Sequence, residues 1–114
     1  MSNNDLENLQ QSVHGVFAAL YLVDVETLTL QQKKEHQEAL SAAYLAYVKA
    51  ENLEYAGLAE PLKTQLAELA QRAKSLGEEM NGLAEPQKQL QLAVDNLDGL
   101  NRLSHLLGLI EQGS

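Results

Sequence analysis

The sequence has no cysteine. This absence excludes a disulfide framework, a thiolate metal site and a cysteine nucleophile. The composition fits a reducing compartment, and we expect the protein to be cytoplasmic.

Basic residues are also scarce, with 8 Lys and Arg against 16 Asp and Glu, for a formal net charge of -8. They are scattered, and residues 1–26 contain none, whereas Asp5, Glu7, Asp24 and Glu26 give this first quarter a charge of -4. Binding to nucleic acid depends on clustered Lys and Arg that contact phosphates. We therefore expect no nucleic-acid partner, and the chain has an acidic N-terminal end.

Long hydrophobic runs are missing as well. The longest uninterrupted apolar run is Val16–Val23, far below the roughly 20 residues of a membrane-spanning helix. The N-terminus (Asn3, Asn4, Asp5, Glu7) is polar and acidic, whereas a secretory signal peptide begins with a positive region. We expect no membrane insertion and no signal peptide.

What the chain does contain is the pentad GLAEP twice, at Gly57–Pro61 and Gly82–Pro86. Gly in the left-handed conformation can end a helix, and Pro suits the first turn of the next one. Three residues between them predict antiparallel neighbouring helices. Beyond the pentad only Lys63 and Lys88 align, which indicates a reused connector rather than a repeat array.

Apolar residues between the pentads are spaced alternately by four and three, the pattern of a helix with a narrow apolar seam. They are Leu62, Leu66, Leu69, Ala73, Leu76 and Met80, and the pattern continues to Leu83 inside the second pentad. With the flanking segments they predict four helices, at about 5–25, 30–56, 61–81 and 86–112. We expect an all-α fold, a four-helix antiparallel up-down bundle in a single domain of residues 1–114, and a variant of it with the first or last helix kinked or swapped is the alternative.

Some helix ends can be predicted. Asn4, with Glu7 three residues later, is a candidate N-cap, and Thr29 with Gln32 forms a candidate capping box. Residues 22–30 alternate like a strand, but a lone strand has nothing to pair with, so we predict a helix end and a turn. In the last helix the apolar face shifts near Gly99, which predicts a bend there.

Residues of neighbouring helices can be aligned by counting away from the turn that joins them. In this alignment two apolar surfaces are poorly covered. Leu20 falls opposite Glu35, so the most apolar part of the first helix lies beside the most polar part of the second. The outer face of Val16–Val23 and the C-terminal cluster Leu106–Ile110 are the uncovered surfaces, and such patches mark association. The alternative is that a shifted, kinked or swapped first helix covers both internally.

No arrangement typical of catalysis is present. His14, His36 and His105 lack a Glu-x-x-His partner, and Ser neighbours at one or two residues point elsewhere on a helix. We expect His36 to be solvated and the other two to be partly buried. The sequence predicts no enzyme and no catalytic, cofactor-binding or metal-binding residues.

Aromatic residues give the best indication of a binding surface. Tyr44, Tyr47 and Tyr55 fall on roughly one side of the second helix, where core or boundary positions are more usual than a stacking site. Phe17 and Tyr21 are the expected partner anchors, because aromatics dominate binding hot spots.

The favoured hypothesis is a small acidic non-enzymatic module that binds a basic or amphipathic protein, of the neutralising (immunity) or secretion-chaperone type. The partner-binding residues predicted for it are Val16, Phe17, Leu20, Tyr21 and Asp24. The alternative is a self-assembling structural homo-oligomer, for example a two-fold dimer. A third hypothesis is a small-molecule or enzymatic bundle with a polar pocket among the helices.

Overall fold

The computed structural model describes residues 2–113, and side chains from residue 5 to residue 110. This part of the chain is all-α without strands, which confirms the predicted class. A 3-10 turn, Val25–Thr27, follows the first of five helices: α1 (Ser2–Tyr21), α2 (Leu30–Glu51), α3 (Glu60–Asn81), α4 (Pro86–Asp95) and α5 (Leu97–Gly113). The predicted four-helix bundle is wrong in its helix count, because the last predicted helix is two helices.

The helices pack side by side into a body of 45 × 25 × 18 Å. α1 lies between α2 and α3, and α4 and α5 each contact both α2 and α3. Buried side chains form two clusters, one near the α1–α2 turn and one near the α2–α3 connector. We call the cluster near the α1–α2 turn the upper cluster and the one near the α2–α3 connector the lower cluster.

The start of α2 follows the predicted capping box. Thr29 Oγ1 accepts the backbone N–H of Gln32 at 3.1 Å, and Gln32 Oε1 accepts the backbone N–H of Thr29 at 2.9 Å. Residues 22–30 form a helix end, the 3-10 turn and this cap, so rejecting a strand there is confirmed. At the other end of the molecule α1 begins at Ser2, which makes the predicted N-cap at Asn4 wrong.

The two pentads start helices as predicted, with Pro in the first turn of α3 and of α4. Their glycines do not end helices in the predicted way, because no glycine among the described residues has a positive φ. Gly82 closes α3 with φ -80° and ψ -8°. Gln89 from α4 donates Nε2 to the carbonyls of Met80 and Leu83 at 3.2 and 2.7 Å. This side chain therefore binds one carbonyl of the last turn of α3 and one of the connector that follows it, while the backbone N–H groups of Gly82 and Leu83 bond to carbonyls of the last turn as well.

Two helices end at asparagines instead. α2 stops at Glu51 rather than near residue 56, and Asn52 donates Nδ2 to the Val48 carbonyl at 2.9 Å. The predicted bend at Gly99 is a break at Asn96, whose Nδ2 donates to the Leu92 carbonyl at 2.8 Å. In both cases the side-chain amide binds the carbonyl four residues earlier, in competition with the helical backbone.

α1 and α3 approach closely where two glycines meet. A methyl group built on Gly77 would lie 3.5 Å from the carbonyl carbon of Gly15, which is ordinary van der Waals contact. A methyl group on Gly15 would have no neighbour within 4 Å. Both glycines lie inside helices, where Gly is about 1 kcal/mol less favourable than Ala.

We therefore expect Gly77→Ala to raise the free energy of unfolding by about 0.5–1 kcal/mol, because the methyl fits and the helix gains propensity. Gly15→Ala is the matched control, since it adds the propensity gain without a packing contact. Urea unfolding followed by circular dichroism measures both. Destabilisation by Gly77→Ala alone would contradict the α1–α3 spacing described here.

The connector between α2 and α3 is fixed to the lower cluster by Tyr55, which is buried. Lys63 Nζ lies 5.2 Å from the centre of its ring. Burial raises the pKa of the Tyr55 hydroxyl above its ordinary value of 10.0, and the nearby Asp5 and Glu60 carboxylates raise it further. The neutral phenol is thus the form that the fold favours.

A group with a raised folded-state pKa contributes stability below its unfolded value and loses that contribution as the pH rises. We expect the free energy of unfolding to fall above pH 10.0, and to fall less steeply in the Tyr55→Phe variant. Urea titrations between neutral and strongly alkaline pH measure the difference. An identical alkaline slope in both proteins would contradict this assignment.

Candidate functional site: an aromatic face on α1 and α2

In the contact between α1 and α2, the side formed by α2 consists of small residues. Ala39, Ala43, Ala46 and Ala50 of α2 are fully buried, and small side chains let neighbouring helices approach closely. The larger side chains of α2 that lie next to this stripe are therefore placed at the edge of the contact.

Five ring side chains form a continuous surface along this edge. Phe17 is at its centre, with its ring centroid 5.5 Å from Tyr44, 6.1 Å from Tyr47 and 6.2 Å from Tyr21. The Phe17 and Tyr47 planes are stacked at 3°, and His14 lies 5.3 Å from Tyr47. We call His14, Phe17, Tyr21, Tyr44 and Tyr47 the aromatic face.

The face is fixed at its centre and accessible at its edges. Phe17 and Tyr47 are half-buried, whereas Tyr21 is 68% and Tyr44 54% exposed. Aromatic pairs at such distances contribute about 0.5–1.5 kcal/mol each beyond the area that they bury. Each of the two exposed rings therefore has a stabilising contact with Phe17.

The residues predicted to bind a partner are divided between this surface and the core. Phe17 and Tyr21 belong to the aromatic face. Val16 and Leu20 are fully buried, so their predicted place on a binding surface is wrong, because they pack in the upper cluster with residues of α2, α3 and α4. Asp24 is exposed beyond the end of α1, where its carboxylate accepts the N–H of Glu26 at 3.1 Å.

The histidines are placed opposite to expectation. His36 is buried and donates Nε2 to the Leu20 carbonyl at 2.7 Å, whereas His14 and His105 are exposed. The last turn of α1 leaves carbonyls without helical partners, and His36 is the α2 side chain that reaches one of them. Its burial is thus explained by capping and not by ligand binding.

Tyr55 is not part of the aromatic face, because α2 ends before it and its ring is in the lower cluster. The sequence also did not indicate that Tyr44 and Tyr47 adjoin Phe17. The helical spacing of Phe17 and Tyr21, and of Tyr44 and Tyr47, indicates which rings share a face of each helix. It does not indicate how α2 is rotated about its axis, and this rotation decides which rings meet across the α1–α2 contact.

A polar pocket adjoins the aromatic face at the end of α2. It has a volume of about 260 Å³ and is lined by Glu7, Gln10, Gln11, His14, Tyr47 and Glu51. Gln10 donates Nε2 to the Ala50 carbonyl at 3.1 Å, which ties α1 to α2 at this point. Two residues of the pocket, His14 and Tyr47, also belong to the aromatic face.

The second predicted surplus of apolar surface lies at the end of α5. Leu107 is fully buried, but Leu109 is 51% exposed. A groove of about 560 Å³ separates this end of α5 from the α2–α3 connector, and its apolar lining includes Leu53, Leu58, Leu62, Leu106, Leu109 and Ile110. At the opposite end of the molecule, Leu22, Val25 and Leu30 near the α1–α2 turn are also exposed.

Within the part of the chain that the structure describes, no three His, Asp or Glu side chains are grouped to hold a metal ion. Over the same residues, no helix combines the length and apolar character needed to span a membrane.

Comparison of the chain with protein-family models, curated proteins and solved structures finds no match.

The exposure of the four tyrosines predicts their reactivity. We expect tetranitromethane to nitrate Tyr21 and Tyr44 fastest, Tyr47 more slowly and the buried Tyr55 most slowly. Mass spectrometry of proteolytic peptides gives the four rates, and the urea-unfolded protein supplies the reference in which access is equal. Nitration of Tyr55 in the folded protein as fast as that of Tyr21 would contradict the geometry of the face.

Proposed function

We propose that this protein is a non-enzymatic module that binds another protein through the aromatic face of α1 and α2. The observation that supports this best is the gathering of Phe17, Tyr21, Tyr44 and Tyr47 on one surface, from a chain with only 1 Phe and 4 Tyr. Rings that serve only the core would be buried, whereas two of these are more than half exposed.

Tyrosine suits such a surface energetically. Its ring presents a large contact area with few rotatable bonds, and the hydroxyl can stay hydrated until a partner binds. Truncating an aromatic hot-spot residue costs about 2 kcal/mol or more of binding free energy. Because Tyr21 and Tyr44 already contact Phe17, less side-chain entropy is lost when a partner orders them.

The charge around the face favours a basic or amphipathic partner. α1 has no Lys or Arg, and Glu7 and Glu51 lie in the pocket next to the rings. Opposite charge raises the rate of encounter and suppresses acidic competitors. A protein of the neutralising or secretion-chaperone type, which shields a basic or amphipathic segment, fits this combination.

A self-assembling homo-oligomer is the second candidate, and a different observation favours it. The apolar groove with the exposed Leu109 at the end of α5 would be covered if copies of the chain packed there. Self-association through this groove leaves the aromatic face free. Variants in the two surfaces therefore distinguish the two functions.

The test compares Tyr21→Ser/Tyr44→Ser with the control Leu45→Ser/Leu109→Ser, which removes apolar side chains of similar exposure (48% and 51%) elsewhere. Each tagged protein is used to capture partners from native lysate, and light scattering over a hundredfold concentration range gives its molar mass. We expect the tyrosine variant to bind the captured partner at least thirtyfold more weakly, as one hot-spot loss requires. The control is expected to bind normally.

Two results would overturn the proposal. One is a partner that the tyrosine variant binds as well as the unmodified protein does. The other is a stable oligomer that Leu45→Ser/Leu109→Ser dissociates while no partner is captured, which would support the homo-oligomer instead.

A further inference from the structure

We infer that Asn81 is a site of spontaneous deamidation, and that the end of α3 controls this reaction by opening and closing. The site shares no residue with the aromatic face, so it is independent of the proposed function. Two features define it, the chemistry of an Asn–Gly pair and the hydrogen bonds that hold this pair in the fold.

Asn81–Gly82 is the one Asn–Gly pair in the sequence. Deamidation begins when the backbone nitrogen of the next residue attacks the side-chain amide carbon of an asparagine. A side chain on that next residue hinders the attack, and glycine has none. The other six asparagines precede Asn, Asp, Leu or Arg, so Asn81 is the asparagine that reacts fastest in the unfolded chain.

The pair lies where α3 leaves the core. Asn81 is the last residue of α3 and Gly82 is its C-cap. Both are exposed, whereas Met80 before them is fully buried. Deamidation consumes water and releases ammonia, and an exposed pair exchanges both with the solvent.

The Gly82 nitrogen is not free to attack in the folded protein. Its N–H donates to the carbonyls of Glu78 and Glu79, at 3.1 and 3.2 Å. These bonds run along the helix axis. Attack on the Asn81 side chain requires the nitrogen to lose its proton and the Asn81 backbone to leave the helical conformation. The reaction therefore begins only after these hydrogen bonds break.

Gln89 of α4 stabilises the closed form. Its Nε2 donates to the Met80 carbonyl at 3.2 Å and to the Leu83 carbonyl at 2.7 Å, on either side of the Asn–Gly pair. Rotation of the backbone between these carbonyls changes their separation, so one side chain cannot bind both while the pair reacts. Helix ends open locally at a low free energy, and Gln89 raises that free energy here.

The atoms of the reaction balance with water as the co-reactant. The Gly82 nitrogen gives up its proton and bonds to the side-chain carbon of Asn81, and that carbon releases its amino group as ammonia. The product is a five-membered succinimide ring. Water then breaks either of the two ring C–N bonds, which gives aspartate with the original backbone or isoaspartate with the backbone routed through the side chain.

Either product weakens the end of α3. Aspartate adds a negative charge near Glu78 and Glu79 at a helix C-terminus, where negative charge is unfavourable. Isoaspartate also adds one carbon atom to the backbone before Gly82, so the hydrogen bonds of the Gly82 N–H cannot re-form in place. We expect the junction of α3 and α4 to open more readily after each conversion.

The test incubates the protein at mildly alkaline pH, folded in buffer and unfolded in guanidinium chloride, and follows Asn81 by mass spectrometry. Trypsin releases residues 75–88 as one peptide, in which Asn81 is the one asparagine. Isoaspartate methyltransferase labels the isoaspartate product and so identifies the succinimide route. We expect conversion to be about tenfold slower or more in the folded protein, as a local opening free energy of about 1.4 kcal/mol or more gives.

Two matched variants test the role of Gln89. We expect Gln89→Ala to convert roughly fivefold faster than the unmodified protein when folded, because it loses two hydrogen bonds that hold the end of α3 closed, and at the same rate when unfolded. Gln91→Ala is the control, since Gln91 Nε2 binds the exposed Asp95 carboxylate within α4 at 2.8 Å. We expect this control to convert like the unmodified protein.

Gly82→Ala tests the chemistry of the pair itself. A methyl group on Gly82 would lie 3.5 Å from the Glu79 carbonyl oxygen, an ordinary contact, so we expect this variant to fold. We expect it to convert several-fold more slowly than the unmodified protein when both are unfolded. Equal rates in the folded and unfolded protein, no conversion of Asn81 in the unfolded protein, or equal folded-state rates in Gln89→Ala and Gln91→Ala would each overturn the inference.

Discussion

Close packing through small residues is the constraint on which the rest of this structure depends. α2 presents a stripe of fully buried alanines to its neighbours, and α1 meets α3 where Gly15 lies against Gly77. Helices that approach this closely leave no room for rings between them. The rings of α1 and α2 are therefore at the edge of the contact, and the aromatic face follows from how the core is packed.

The starts of helices were easier to predict than their ends. Thr29 with Gln32, and the two prolines, act within one turn of the chain, so sequence spacing alone identifies them. The ends depend on competing acceptors. At the end of α3, Gln89 from the next helix adds a bond to the Met80 carbonyl, and Asn52 and Asn96 stop helices by binding a carbonyl four residues earlier. Asparagine in a helical pattern was the overlooked signal.

The candidate site was predicted in part. The excess of apolar residues near the end of α1 indicated Phe17 and Tyr21, but it could not separate them from Val16 and Leu20, which the other helices cover. Which of these residues are buried depends on how the helices are rotated relative to one another. The residue pattern along one helix does not indicate that rotation. The burial of His36 has the same origin, because its hydrogen-bond acceptor belongs to α1.

The stack of Phe17 on Tyr47 has a consequence for cooperativity. Phe17 packs against the upper cluster and Tyr47 against the lower one, so the stacked pair adds a side-chain contact between two clusters that the helices already connect. Such parts can open as distinct units, each with its own free energy of opening. A molecule bound across both rings must be released before either part opens, so its binding free energy adds to the free energy of each opening. Occupancy of this surface would thus raise the free energy of opening of both clusters together.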